Sequence, residues 1–326
     1  MSDALALRSG HGLVVTAMNA SVLLEAAGLP TTSPIVFAAR GLSGRFSNAA
    51  GRWASDRPVS LTDLFYTASL TKQVTGATVA MLAKSGEIEL DTPIAKSFLP
   101  TWPCRPTVRQ LLHHVGSLPG AGVLEDALHG RAWTKEFVLE SAERLDPPGQ
   151  AVGSTYVYSN IGYVILAAVL ESATGQSFPE LAARVLPAQS EAQMTFPASK
   201  IFLVSPQASR LGSSQPLTVG DGGLWSTAEA YADFLDMQND NALGISDLTQ
   251  ADFVLPSGEP TRYGWGVGIR TFRDYPLFIH GGSWEGACCK AVRSPTLKMS
   301  IVVLTASDQP KAVGKLVDML SSAVML

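Results

Sequence analysis

Apolar and polar positions divide the chain into regions of different period. Residues 34–40, Pro-Ile-Val-Phe-Ala-Ala-Arg, form a short apolar run ended by Gly41, the pattern of a buried strand. Residues 44–51 read as its hairpin partner, and residues 1–30 fit a helix or a strand pair equally. From Ser69 the period lengthens. Val74, Ala77, Thr78, Met81 and Leu82 recur at helical spacing, which predicts a helix over 69–85 with Gly86 as its C-terminal cap. Shorter helices are expected over 94–99, from Thr107 as N-cap to His114, over 134–145 behind Thr134, over 161–172 capped by Gly175, and over 178–185.

Beyond about residue 200 the pattern changes again. A glycine turn at Gly222-Gly223 leads through Ser226-Thr227 into a helix to about residue 237. Strand candidates follow at 263–269, 277–280, 287–293 and 299–304, and an amphipathic helix spans 308–324 with Val313, Leu316, Val317, Leu320 and Val324 on one face. Strands at both ends of the chain with a helical block between them argue for an α+β fold. The expectation is an antiparallel sheet flanked by N- and C-terminal helices, with a mostly helical inserted subdomain. Residues 1–65 and 215–326 would form the sheet part and 66–214 the helical part, with an active site in the cleft between them.

With 46% hydrophobic and 16% charged residues, the 326-residue chain is expected to fold around a sizeable core. A net charge of −4 gives no reason to expect nucleic acid or an anionic membrane as partner. No apolar run approaches the ~18 residues a membrane helix needs. Residues 1–27 lack the basic start and unbroken apolar centre of a signal peptide, so a cytoplasmic location is expected, with a secreted mature form left open. Cys104, Cys288 and Cys289 have no metal-ligand spacing and suggest no disulfide framework, so neither metal nor cofactor is expected. Cys288 and Cys289 are expected to pack on opposite faces of a strand.

Chemistry enters at Ser69-Leu70-Thr71-Lys72. In a helical stretch the three-residue spacing puts hydroxyl and amine on one face, and a buried lysine can activate a serine nucleophile. Alone, the pair is more often a helix start with a solvated lysine than a catalytic unit. Tyr158-Ser159-Asn160 adds a phenol and a carboxamide two residues apart; in an extended segment both point to one side. A phenol near an ammonium is a candidate general base and acid. His280-Gly281-Gly282-Ser283, at a strand end, would let substrate lie against the backbone. The amides of Ser69 and Ser283 could form an oxyanion hole there. Trp284, next in sequence, is a candidate wall of the substrate pocket. His113 and His114 read as structural, at a helix C-terminus that favours histidine.

In that order, Ser69-x-x-Lys72, Tyr158-x-Asn160 and His280-x-Gly282 resemble the serine β-lactamase-like and penicillin-binding-protein superfamily. The similarity is to its branch of class C β-lactamases, D-aminopeptidases and family VIII carboxylesterases. It extends to Phe65-Tyr66-Thr67-Ala68 before the nucleophile, the turn at Gly86–Pro93, the Leu111–Gly120 segment, Pro148-Gly149 and Gly222-Gly223-Leu224-Trp225-Ser226-Thr227. Two departures matter. Thr-Ser-Gly-Leu-Pro appears as Val115-Gly116-Ser117-Leu118-Pro119, and the Lys-Thr-Gly of β-lactamases as His280-Gly281-Gly282. The resemblance implies a serine hydrolase or acyltransferase forming a Ser69 acyl-enzyme on an ester or amide. Ser69, Lys72 and Tyr158 would be catalytic; Asn160, His280, Gly282, Ser283 and Trp284 would bind substrate. The second nucleophile would be water, an amine or an alcohol. Loss of the lysine that holds a β-lactam carboxylate favours uncharged esters or amides. A β-lactamase or D-amino-acid peptidase is the alternative, and a non-catalytic sensor is the alternative of another class. Oligomeric state stays open.

Overall fold

The computed structural model describes residues 20–120, 122–123, 132–188, 193–196, 206–207 and 216–325. Its frame is a six-stranded, wholly antiparallel sheet. The strands are β1 (Ile35–Gly41), β2 (Gly44–Ala50), β6 (Gly268–Phe272), β7 (Tyr275–Trp284), β8 (Ala287–Ser294) and β9 (Met299–Thr305), in the order β2-β1-β9-β8-β7-β6. β1 lies in the interior, with Ile35 opposite Ala50 on one side and Thr305 on the other. That position explains why its sequence is nearly all apolar: both faces are covered.

Strand periodicity sorts the side chains into two cores. Ile35, Phe37, Ala39, Ile301 and Val303 face α1 (Ala20–Ala27) and the C-terminal α9 (Pro310–Met325). Val36, Ala38, Val302 and Leu304 face the other way, into the larger core with the remaining helices. The five α9 positions singled out by their spacing are all at most 1% exposed. Each contributes about 1.5–3 kcal/mol of burial as an upper estimate.

Over the second face lie α2 (Thr71–Lys84), α3 (Val108–Leu112), α4 (Lys135–Glu143), α5 (Asn160–Thr174), α6 (Phe178–Ala183), α7 (Ala228–Asn239) and the short α8 (Ser246–Thr249). Their boundaries follow local chemistry. Thr107 caps α3 in a reciprocal capping box with Gln110, Thr134 caps α4, Thr227 caps α7, and Gly175 ends α5 at φ +72°. A small three-stranded sheet of β3 (Phe65–Tyr66), β4 (Met194–Thr195) and β5 (Trp225–Ser226), in the order β3-β5-β4, leads the chain into α2. No helix among the described residues is long and apolar enough to cross a membrane.

Four expectations need correction. Residues 94–99 form turns rather than a helix; Pro93 pairs with Thr107 and Pro100 ends the segment. Ser69 lies in a 3-10 turn, Ala68–Leu70, and the α-helix starts only at Thr71. The strand placed at 263–269 starts at Gly268. Before it, residues 263–267 fold back, with Gly264 N–H donating to Val267 O, and drive Trp265 against Gly76 of α2. The alternating glycines there serve close approach to a helix rather than a pleat. Finally, β7 runs on to Trp284, so His280-Gly281-Gly282-Ser283 lies inside a strand and not at its end. Residues 1–19 lie outside the described residues.

Candidate active site

Ser69 sits in the middle of a turn that is held from three sides. The preceding Ala68 has φ +43°, an uncommon conformation for a residue with a side chain. Its carbonyl accepts from the Thr71 hydroxyl at 2.7 Å. The Thr67 amide and hydroxyl both donate to Leu224 O, at 3.0 and 2.9 Å, and Cys289 Sγ donates to Thr67 O at 3.0 Å. On the open side the turn lies against β7. A Cβ added to Gly282 would come within 2.8 Å of the Ser69 nitrogen, so glycine is what allows the nucleophile's amide to reach the strand.

One turn later, Lys72 is fully buried. Its Nζ donates to Ser69 Oγ at 3.0 Å, Asn160 Oδ1 at 2.8 Å and Asp221 O at 2.9 Å. The three donors of an ammonium are thereby matched with three acceptors. The rings of Tyr158 and Tyr163 flank it, with centroids 5.0 and 5.5 Å from Nζ.

Tyr158 and Asn160 reach this point by a different route from that expected. Ser159 is the N-cap of α5, so Asn160 is the first residue of a helix and not part of an extended run. The Ser159 amide donates to His114 Nδ1 at 3.1 Å, which fixes the approach of the chain. The His114 ring packs 4.4 Å from that of Tyr158. His113 donates from Nδ1 to Tyr263 O at 2.8 Å and accepts from Trp265 Nε1 at 3.0 Å. Both histidines are thus structural, but not through a helix dipole. Burial pushes their pKa values below the ordinary range, His114's the further, so neither offers the positive charge that a dipole would favour.

His280 is buried on β7. Its Nδ1–H donates to Gly281 O at 2.6 Å, which leaves Nε2 to accept from the Tyr263 hydroxyl at 2.9 Å. Burial, reinforced by the Lys72 charge and opposed by the Gly281 bond, pushes its pKa down to about 3. It is a neutral group where β-lactamases carry a lysine cation.

Ser69, Tyr158, Asn160, His280, Gly282 and Ser283 line one cavity of about 420 Å³. Trp284 does not. It shares the face of β7 with His280 and Gly282, but beyond them it packs beside Trp133, ring centroids 6.4 Å apart, against the core. Cys289 faces the nucleophile's turn and Cys288 the opposite core, as adjacent residues of one strand must. Three residues not singled out from the sequence also meet here. Tyr163 and Tyr263 are the aromatic partners of Lys72 and His280. Asp221 is buried and gives its carbonyl to Lys72. The Gly-Asp-Gly-Gly run at 220–223 signals a turn but nothing about where it packs.

The family model for Beta-lactamase matches residues 35–321. The chain belongs to this family. A D-aminopeptidase of Cereibacter sphaeroides is 24% identical over 217 residues, 61% of this chain and 42% of that protein. The chain spans less than half the length of that relative. Among solved structures, the D-amino acid amidase from Ochrobactrum anthropi complexed with L-phenylalanine amide superposes with TM-score 0.74 at 17% identity, covering 93% of this chain and 97% of that one. The octameric penicillin-binding protein homologue from Pyrococcus abyssi gives 0.71 at 21%, covering 92% and 75%. These likenesses establish the β-lactamase/transpeptidase-like fold, with its antiparallel sheet and helices.

Proposed function

We propose that this beta-lactamase-family protein is a serine hydrolase or acyltransferase working through a Ser69 acyl-enzyme on a small ester or amide. The observation that carries this reading is the 3.0 Å contact of a fully buried Lys72 Nζ with Ser69 Oγ, in a cavity shared with Tyr158. Ser69 attacks the carbonyl as its proton passes to the Lys72/Tyr158 pair. The Ser69 and Ser283 amides hold the oxyanion. Tyr158 protonates the leaving group, and the same pair then activates water, or an amine or alcohol, to release the acyl group. Asn160 orients Lys72 and substrate. A neutral His280 gives the cleft a polar wall without the cation that would hold a substrate carboxylate, which favours uncharged acyl donors.

The D-aminopeptidase and D-amino acid amidase likenesses support D-amino-acid amides as the amide branch of this reading. Labelling with a fluorophosphonate, read by intact mass, tests the whole. The wild type is expected to gain one adduct and to turn over short-chain p-nitrophenyl esters or D-amino-acid p-nitroanilides. Ser69→Ala should lose the adduct and at least about 10³-fold in kcat/KM. An unlabelled wild type, or turnover that survives Ser69→Ala, defeats the proposal.

A further inference from the structure

The cavity that holds Ser69 does not stop at β7. It is also lined by Cys288, Lys290, Pro310 and Val313, on the other side of the sheet. The strand register explains how. Gly281 pairs with Lys290 and Ser283 with Cys288, so these residues share the face that α9 covers, opposite to the face of His280 and Gly282. β7 pairs with β6 only as far as Ile279 with Gly268, and among the described residues no strand covers that edge beyond it. At Gly281 no side chain closes the way round. Even a Cβ there would meet nothing nearer than Cys289 O at 3.8 Å. The space therefore runs from the nucleophile past the edge of β7 and onto its outer face. A cation stands there. Lys290 is half-buried, with Nζ 3.5 Å from where a Cβ on Gly314 of α9 would be, next to Val313. Among the described residues its ammonium takes part in no ion pair. The nearby acid, Asp308, is instead held by the Gly286 amide at 2.8 Å. The floor beside Lys290, made by Cys288 and Val313, is apolar. An apolar floor with an uncompensated ammonium suits a short carbon chain that ends in an anion.

Which reactant brings the anion follows from the order of groups along β7. His280 uses one ring nitrogen as donor to Gly281 O and the other as acceptor from Tyr263, so it is neutral and suits the uncharged acyl donor. The cation is left for the molecule that arrives after acylation. The way round β7 opens at Gly281, next to His280, whose ring lies 6.1 Å from that of Tyr158. Tyr158 is the side of the site where the second nucleophile is activated; Ser283, the oxyanion donor, lies on the other side of Gly282. We propose that Lys290 is a specificity-determining residue that holds the anionic end of an amino or hydroxy acid serving as acyl acceptor. The inference rests on the acyl-enzyme reading of Ser69 given above. The acceptor nitrogen or oxygen adds to the carbonyl carbon of the Ser69 ester, and its proton passes to the Lys72/Tyr158 pair. The bond from that carbon to Ser69 Oγ then breaks, Oγ takes the proton back, and the N-acyl or O-acyl acid leaves.

The test is how the acyl-enzyme partitions between acceptors. p-Nitrophenyl butyrate is turned over in the presence of glycine, β-alanine, γ-aminobutyrate or a matching hydroxy acid, and in parallel with the corresponding carboxamides. The ratio of transfer product to butyrate is read by mass spectrometry for wild type, Lys290→Met, Lys290→Glu and Lys290→Arg. Melting temperature follows folding, and fluorophosphonate labelling follows Ser69. The preference for acid over carboxamide, taken within each protein, cancels any common effect on acylation. In Lys290→Met, which keeps the stem and removes the charge, it should fall by about fivefold, the upper end for a half-exposed ion pair. It should fall further in Lys290→Glu and persist in Lys290→Arg. In the wild type it should shrink as salt is added, since exposed charges are screened. A merely structural role would lower transfer to acids and carboxamides alike. An acid preference equal in wild type and Lys290→Met, or no transfer to any acid, overturns the inference, while labelled Ser69 and ester turnover leave the acyl-enzyme reading standing. If Lys290→Met does not fold, an unchanged preference in Lys290→Gln overturns it instead. A wild type that is neither labelled nor active overturns both.

Discussion

At the scale of single residues, the nucleophile's turn can lie against β7 only because a side chain is absent there. A Cβ on Gly282 would stand 2.7 Å from Cys289 Sγ, 2.8 Å from the Ser69 nitrogen and 3.0 Å from Ala68 Cβ. None can swing away, because the cysteine is buried and the other two belong to the 68–70 turn. Gly282→Ala should therefore push that turn off β7. Overpacking of this kind costs about 1–3 kcal/mol, and displacing a nucleophile by about 1 Å costs on the order of 10² in rate. Gly281→Ala meets only Cys289 O at 3.8 Å and is the matched control. Ester kcat/KM and melting temperature should fall in the first and stay near wild type in the second. Equal activity of the two variants would show that the approach is incidental. Ser69, Lys72, Tyr158 and Asn160 could be picked out from the sequence because each belongs to a short motif of fixed spacing. Asp221 and Tyr263 could not. Asp221 touches Lys72 across 149 residues, and the Tyr263 hydroxyl reaches His280 from a fold-back that alternating glycines disguise as a strand.

At the scale of elements, α7 is attached to the sheet by charge as well as by its apolar face. Arg40 on β1, 5% exposed, bonds Asp233 at 2.6 Å, Asp236 at 2.7 Å and Glu229, all on one side of α7. Removing the guanidinium would leave three carboxylates crowded on one helix face. Stranding a buried charge costs about 3–5 kcal/mol, but Glu229 and Asp233 are 39% and 52% exposed and keep much of their water. Arg40→Met should accordingly cost about 2 kcal/mol, read as a lower urea midpoint with unchanged slope. A midpoint equal to wild type would mark the cluster as idle. Elements with a strong period or an end signal were legible from sequence: β1, β8, β9, α7 and α9, and the caps at Thr107, Thr134 and Gly175. Elements whose conformation is dictated by a neighbour were not. The turn holding Ser69 is 3-10 because Leu224, Cys289 and β7 constrain it, and residues 94–99 have helical composition but are tied down by the pairing of Pro93 with Thr107.

At the scale of the whole molecule, the groups around the site come from segments that meet only in the folded chain, and that makes global stability depend on pH. His113 and His114 follow α3, His280 lies on β7, and all three are held below the ordinary histidine range chiefly by burial. In the unfolded chain each takes a proton near pH 6.5; in the folded one it refuses. A depressed folded pKa contributes stability that is complete above the unfolded value and is lost as pH falls. For His280, pushed down to about 3, the loss runs at about 1.4 kcal/mol per unit and reaches about 2 kcal/mol at pH 5. His113 and His114 act with the same sign. Asp221, raised by burial, acts with the opposite sign, since its folded form favours the proton. The net slope is thus no proof of any one group, and the comparison must be between proteins. His280→Asn keeps a donor for Gly281 O and removes the titration. Melting temperature should fall between pH 7.5 and pH 5 in the wild type and fall by less in the variant. Parallel curves would mean that His280 accepts a proton in the folded state, and the cleft would then present a cation at acidic pH to a substrate carboxylate.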